Sequence, residues 1–324
     1  MTNKKSYLNN NECITYDGAI QLMKDEVDNI LSTSPLIIRK YTKHLTKSKG
    51  KFIRGMSVIM CAEKIDGSIH PNAIKIAAAI EIIHLATLVH DDVIDNADIR
   101  RGEATLQKKY DKRTAVICGD YLLCSALNLT SSIKKPEDYL KLNIPDYMGK
   151  VCLGELNQHI NNKNLNLSVY QYLKIIAGKT AALFEASFYA GAIFLEDGGK
   201  DLNKYKQLGF YIGMIFQLTD DCIDFENTRD QVLKPVQSDY EQGVITLPLI
   251  YAFKNLSGFK EKAKDGLTRE EINDGVKKAD GLKFTHLMVQ KYYKKSMKIM
   301  EQLDIHDEKR DRLILILDKA SRLA

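Results

Sequence analysis

Asp91-Asp92-Val93-Ile94-Asp95 and Asp220-Asp221-Cys222-Ile223-Asp224 are two copies of one acidic pattern, DDxxD. Both lie in apolar stretches with helical spacing. On a helix, residues i and i+4 share a face, so each copy aims at least two carboxylates in one direction, one turn apart. Carboxylates stacked in this way repel unless a cation sits among them. Hard oxygen ligands suit Mg²⁺, which prefers to share its shell with substrate phosphates. Two such walls facing each other would cage a metal-bound diphosphate, with Asp91, Asp92, Asp95, Asp220, Asp221 and Asp224 as the candidate metal residues.

A single DDxxD is a weak motif, and the plain alternative is a pair of solvated acidic helix ends. The neighbours argue against it. His84–His90 is nearly all apolar before the first copy, and Gly209–Leu218 precedes the second. Buried helices that turn acidic at one end build a site.

A diphosphate also needs cations. Gly50-Lys51-Phe52-Ile53-Arg54 places Lys51 and Arg54 at i, i+3, and Arg100-Arg101-Gly102 closely follows the first acidic motif. Lys179-Thr180 opens an apolar helical stretch, and Lys234-Pro235 follows the second motif. Arginine binds phosphate as a bidentate fork and lysine as a point charge. Any one lysine alone reads as a solvated surface charge, and Arg100-Arg101 beside a carboxylate wall also reads as a structural ion pair. His84 lies on the helix face of Asp91 and could donate to a phosphate, although a lone histidine on an apolar helix is more often a core residue. Thr180 and Gln217 are polar groups at the mouths of apolar helices. Together the pattern fits two diphosphate sites, one on Mg²⁺ and one on bare cations.

These groups must be positioned by helices. The chain has 324 residues, 44% hydrophobic, with a formal net charge of +5. That is enough apolar content for a sizeable core. The basic residues are too dispersed to argue for nucleic acid. Helical periodicity covers 17–30, 72–95, 114–131, 146–160, 167–194, 202–226 and 285–317. Loops are expected at 46–50, 96–112, 132–145, 161–166, 195–201 and 227–243. Ser34-Pro35, His70-Pro71 and Thr246-Leu247-Pro248 fit a cap followed by an early helical proline. Strand signals are almost absent, and no linker or repeat divides the chain. The expected fold is all-α: one domain over 1–324, an antiparallel helical bundle in which facing helices project ligands into a core cavity. The six cysteines form no CxxC pair and read as free, mostly buried thiols in a reducing cytoplasm. The polar start does not read as a signal peptide, and no run of eighteen apolar residues suggests a transmembrane segment.

The motifs in order resemble the trans-polyprenyl diphosphate synthases. They are GKxxR at Gly50–Arg54, ExxHxxTLxHDDVxD at Glu81–Asp95, RRGxxT at Arg100–Thr105 and GDYLL at Gly119–Leu123. GKTAxLF at Gly178–Phe184, GxxxQxxDDxxD at Gly213–Asp224 and KPxxSDxxxGxxTLPLIYA at Lys234–Ala252 complete the set. Residues 1–45 and 255–324 carry no such motif.

The resemblance implies an all-α homodimer with a deep apolar tunnel below the acidic motifs. A small second subunit, on which some relatives depend, stays open. It implies that Asp91, Asp95 and Asp220 bind Mg²⁺ on an allylic diphosphate, supported by Asp92, Asp221 and Asp224. Arg100, Lys179 and Lys234 look like allylic diphosphate ligands. Lys51, Arg54, His84 and Arg101 look like the isopentenyl diphosphate site. Thr180 and Gln217 resemble residues that border the carbocation. The sequence departs from the family pattern at Gly55, where proline is usual, at Leu233, where glycine is usual, and at Val244, where a lysine is usual.

Ala86 and Thr87 lie about one turn below the first acidic wall, on its face. In relatives, small residues there go with longer products. The expectation is a medium or long all-trans product of roughly six to eight isoprene units, built along a helix rising about 1.5 Å per residue. A floor formed by residues of 122–130 would shorten it to C15 or C20. Two rivals remain. A metal phosphohydrolase would use His84 and His90-Asp91, but it leaves the basic motifs idle. A non-catalytic subunit that only binds prenyl diphosphates would fit the missing lysine at Val244, but not two intact acidic motifs.

Overall fold

Pro71 opens the helix around which the rest is built. The computed structural model describes residues 13–46, 50–133, 144–195, 200–226 and 238–322. Helices α1 (Tyr16–Ser32), α2 (Leu36–Leu45) and α3 (Ile53–Ala62) lead into α4 (Pro71–Ile94). Pro71 occupies the first turn of α4, where its missing N–H costs nothing, and the His70 side chain caps it by accepting from the Asn72 N–H at 3.1 Å. Apolar residues on every side of α4, among them Ile76, Ile82 and Ala86, are fully buried. This helix is long and apolar enough to cross a membrane by composition, but 67% of its most apolar window is buried inside the bundle. It packs on α1, α3 and α6 (Lys112–Ser131).

After α4 the chain makes a minimal hairpin, β1 (Ile99–Arg100) with β2 (Glu103–Ala104), then α5 (Leu106–Lys109) and α6. Its two-residue turn, Arg101-Gly102, has φ of 52° and 81°. Positive φ at both turn residues matches the twist of a tight hairpin. Further on come α7 (Ile144–Ile160), α8 (Val169–Ile176), a π turn at Ala177–Ala181, α9 (Ala182–Ala192) and α10 (Leu202–Glu226). The remainder is α11 (Ser238–Glu241), α12 (Leu247–Asn255), α13 (Phe259–Lys262), α14 (Arg269–Lys278), α15 (Gly281–Met300) and α16 (Asp307–Ser321).

Two apolar clusters form the core. One surrounds α4; the other lies among α10, α12, α15 and α16. α3 and α9 feed both. Val58 and Ile59 face the first cluster while Met60 and Cys61 face the second, and Leu183 and Phe184 divide in the same way.

The long periodic stretches hold, with two differences. The expected helix at 167–194 carries a π turn, closed by the Ala182 N–H donating to the Ala177 carbonyl. The expected helix at 285–317 is two helices, α15 and α16. His306 caps the second by accepting from the Lys309 N–H at 3.3 Å, with Asp307 and Glu308 in the first turn. Apolar periodicity ran across that cap and hid it. α16 also closes the end of α3. Buried Lys309 donates to the Cys61 and Glu63 carbonyls at 3.0 and 2.7 Å, supplying donors that the helix end lacks. Pro35 is itself the N-cap of α2, not its first residue. The thiols divide evenly: Cys61, Cys118 and Cys222 are buried, whereas Cys13, Cys124 and Cys152 are exposed.

α7 touches the π turn backbone to backbone. A Cβ on Gly154 would lie 2.1 Å from the Lys179 nitrogen and 2.5 Å from the Gly178 carbonyl carbon. Backbone cannot yield as a flexible side chain can. Gly154→Ala is therefore expected to lower stability by about 1–3 kcal/mol through overpacking, despite the better helix propensity of alanine. Gly149→Ala, on the same helix with nothing within 4 Å, is the control. Equal thermal midpoints for the two variants would show that α7 and the π turn are not held at this contact.

Candidate active site

The C-terminal turn of α4 carries the first acidic wall. Asp91 and Asp95 point to one side, while Asp92 is turned to Arg100, whose Nε donates to its Oδ1 at 2.6 Å. The hairpin turn makes this possible by folding Arg100 back onto the helix it follows. Burial pushes the Asp91 carboxyl up to about 7, and the nearby Glu155 and Asp95 charges add to this against Lys179 and Arg100. Asp95 and Asp92 are also raised, each by burial first, Asp92 despite its arginine.

α10 carries the second wall. Asp221 is buried and fully engaged: the Tyr172 hydroxyl donates to it, and Gln217 Nε2 donates to it at 2.7 Å. The Thr180 hydroxyl donates to Gln217 Oε1 at 2.7 Å, so the π turn, α10 and α8 are joined by one polar chain. Asp220 is exposed, with Arg322 Nη2 3.9 Å away, and Asp224 is half-buried.

Between the walls lies a cavity of ≈ 120 Å³ lined by Asp95, Glu155, Lys179, Gln217, Asp221 and Val244, among others. Lys179 Nζ lies 2.9 Å from Glu155. Burial works against its charge, but Glu155, Asp91 and Asp95 outweigh that and hold its pKa above the usual lysine value. The π turn is what delivers Lys179 to this space and sets Thr180 behind Gln217, which lines it. Such turns insert one extra residue and re-aim side chains, often at functional sites.

A second basic group sits beside the first wall. Arg54 Nη1 donates to His84 Nε2 at 3.1 Å, and its guanidinium stacks 4.6 Å over the Phe184 ring. Burial, then Arg54, Arg101 and Arg100, push His84 well below its ordinary pKa. The imidazole is therefore neutral, accepts from Arg54 at Nε2 and keeps its proton on Nδ1. Burial pulls Arg54 down to about 10, partly offset by Glu81. Arg101 packs its guanidinium on Gly50, where a Cβ would come within 2.9 Å. Lys51 is exposed at the start of the same segment.

Gly55 is explained by its surroundings. Its N–H donates to buried Glu81 at 2.6 Å, a bond that proline could not make, and a Cβ there would meet Met23 Sδ at 2.4 Å. Val244 lines the cavity. Lys234 and Leu233 lie outside the described residues. Ala86 is buried in the core below the first wall, and Thr87 donates its hydroxyl to the His84 carbonyl at 2.8 Å.

The motifs do not point to three residues found here: Glu155, Tyr172 and Arg322. Glu155 had one weak signal, as the only acid on α7 besides Asp146. Tyr172 and Arg322 had none, because their meeting with the second wall is purely tertiary.

The six motif carboxylates offer only hard oxygen ligands. Asp91 and Asp95 are raised mainly by burial, with Lys179 and Arg100 only partly offsetting it. That donor set fits a divalent cation such as Mg²⁺.

Residues 35–280 match the Polyprenyl synthetase family. The chain is 33% identical over 293 residues to the heptaprenyl diphosphate synthase component 2 of Bacillus subtilis, covering 88% of this chain and 82% of that protein. It is 34% identical over 245 residues to the short chain isoprenyl diphosphate synthase of Methanocaldococcus jannaschii, covering 72% and 74%. Its fold matches the crystal structure of heptaprenyl diphosphate synthase from Staphylococcus aureus with a TM-score of 0.87 and 31% identity, over 97% of this chain and all of that one. A cavity walled by two acidic helix ends and served by Lys179, in a chain with these relatives, makes the protein a prenyltransferase of the polyprenyl synthetase family.

Proposed function

We propose that the chain adds isopentenyl diphosphate head-to-tail to an allylic prenyl diphosphate with Mg²⁺, forming an all-trans product of medium or long chain and releasing diphosphate. The observation that carries this is the cavity shared by Asp95, Asp221 and Lys179. Asp91, Asp95 and Asp220 would hold the metal. Asp92 and Asp221, already fixed by Arg100, Tyr172 and Gln217, would support them, as would Asp224. When bound, Mg²⁺ supplies the positive charge that lets the diphosphate depart as the allylic C–O bond ionises.

The protein's own groups do the rest. Lys179 and Arg100, with Lys234, bind the allylic diphosphate. Lys51, Arg54, Arg101 and His84 through Nδ1–H bind isopentenyl diphosphate. Holding the double bond close to the cationic carbon makes the new C–C bond an intramolecular event. Thr180 and Gln217 present oxygen dipoles to the cation, and apolar walls exclude water. A proton then leaves the new chain for the released diphosphate, so no dedicated base is needed.

The phosphohydrolase reading loses its ligand here, because His84 Nε2 is taken by Arg54. We propose further that the chain is a single cytoplasmic domain that pairs with a second copy. Exposed Val116, Ile117 and Leu127 on α6, and Leu153, Leu156 and Ile160 on α7, offer apolar surface for that contact or for a small second subunit.

The raised Asp91 pKa sets a pH dependence. A raised carboxyl pKa favours the protonated form, so in the metal-free protein the ionised Asp91 destabilises the fold increasingly as pH rises from about 4 to about 7. Metal binding must displace that proton. Mg²⁺ affinity, measured by calorimetry, should fall as pH drops below about 7, approaching about tenfold per unit for one proton. Asp91→Asn should flatten this profile and lower turnover by about 10²–10³. Mg²⁺ affinity independent of pH between 5 and 8 would remove Asp91 from the metal shell.

Product length is tested with labelled isopentenyl diphosphate and several allylic primers, by chromatography. The proposed path runs down α4 past Ala86, which is packed in the apolar core, and Thr87, at about 1.5 Å of rise per residue, for a product of roughly six to eight isoprene units. Ala86→Phe should cut the product to two or three units. A wild type that stops at C15 or C20 would refute the open path, and a long product unchanged by Ala86→Phe would take Ala86 off it. No product from any primer, with Mg²⁺ present, would favour a binding subunit.

A further inference from the structure

Cys222, Glu226 and His286 each bring one ligand atom to a common point, with all three atoms within 4.8 Å of one another. Cys222 and Glu226 are one turn apart on α10. Cys222 lies inside the second acidic motif, but at about 100° per residue Cys222 and Glu226 are turned roughly 100° and 140° around the helix from Asp221, which lines the cavity. His286 comes from α15, which packs along α10. Its Nε2 is 2.7 Å from Glu226 Oε1. Cys222 is fully buried beneath them.

We propose that Cys222, Glu226 and His286 form a second metal site, separate from the diphosphate cage, which takes a borderline-soft divalent cation such as Zn²⁺. The ligand set makes the choice. Thiolate and imidazole suit Zn²⁺ and Co²⁺, whereas Mg²⁺ prefers oxygen alone. Three protein ligands leave a fourth tetrahedral position for water. Side-chain exposures of 43% for Glu226 and 47% for His286 give the ion a way in. On binding, the Cys222 S–H bond breaks, its proton passes to solvent and an S–metal bond forms. One thiolate and one carboxylate then neutralise the dication. The Glu226–His286 hydrogen bond is replaced by two bonds to the metal, and the last turn of α10 becomes cross-linked to α15. A surface Glu–His pair needs no thiol under it; a metal site does.

Co²⁺ reads this site selectively, because only thiolate ligation gives a sulfur-to-cobalt charge-transfer band, and the carboxylate cage can be kept filled with excess Mg²⁺. The full-length chain should develop that band to saturation at one Co²⁺ per chain, and Zn²⁺ should abolish it. Cys222→Ser and His286→Ala should each lose the band. His286 is at the surface, so its replacement reads ligation without disturbing buried packing. A wild type with no band overturns the proposal. So does a band that survives either substitution, which would assign it to the exposed Cys13, Cys124 or Cys152.

Discussion

Burial of carboxylates governs the site: Asp91, Asp92 and Asp95 are all pushed up, by loss of water first and by acidic neighbours second. Asp95, Glu155 and Asp221 are brought to one cavity with Lys179 as the close counter-charge, and Asp91 stands beside Glu155 and Asp95. The protein holds them there with rigid supports. Asp92 is tied by Arg100, and Asp221 by Tyr172 and Gln217. The middle of α4 is buried on every side, which anchors the helix whose last turn carries the first acidic wall. Burial, more than mutual charge, raises these carboxyls, and the Mg²⁺ proposed for the site would offset that cost on binding among them.

Acids and cations are presented by different kinds of backbone. The carboxylates sit on regular helix, because i, i+4 stacking on one face requires it. The cations stand beside irregular backbone. Phe52, between Lys51 and Arg54, has φ of 53°; Arg101 has φ of 52°; Lys179 lies in a π turn. Local departures of this kind persist where the surrounding packing over-determines them. Here Gly50 admits the Arg101 guanidinium, and Gly154 lets α7 press on the π turn.

Much of this was legible in the residues. The acidic repeats, the all-helical periodicity and the His70 cap follow from local rules, and the structure keeps them, while Thr246 holds the N-cap position before Leu247-Pro248 without a side-chain bond. Local rules also explain the misses. A π turn changes hydrogen bonding without changing apolar spacing, so 167–194 read as one helix. The break before α16 fell inside a continuous apolar pattern and was marked only by His306, an uncommon cap. Cys124 reads as buried from its apolar neighbours, yet it lies on the outer side of α6. Glu155, Tyr172 and Arg322 reach the site only through packing between distant segments, which no spacing encodes.

The departures at Gly55 and Val244 have opposite consequences. Gly55 is accommodated: Met23 occupies the space, and the gained N–H satisfies buried Glu81. Val244 is not replaced in kind. Among the described residues lining the cavity, Lys179 is the sole lysine or arginine, alongside Asp95, Glu155 and Asp221. A lysine at position 244 would soften the field that these acids create.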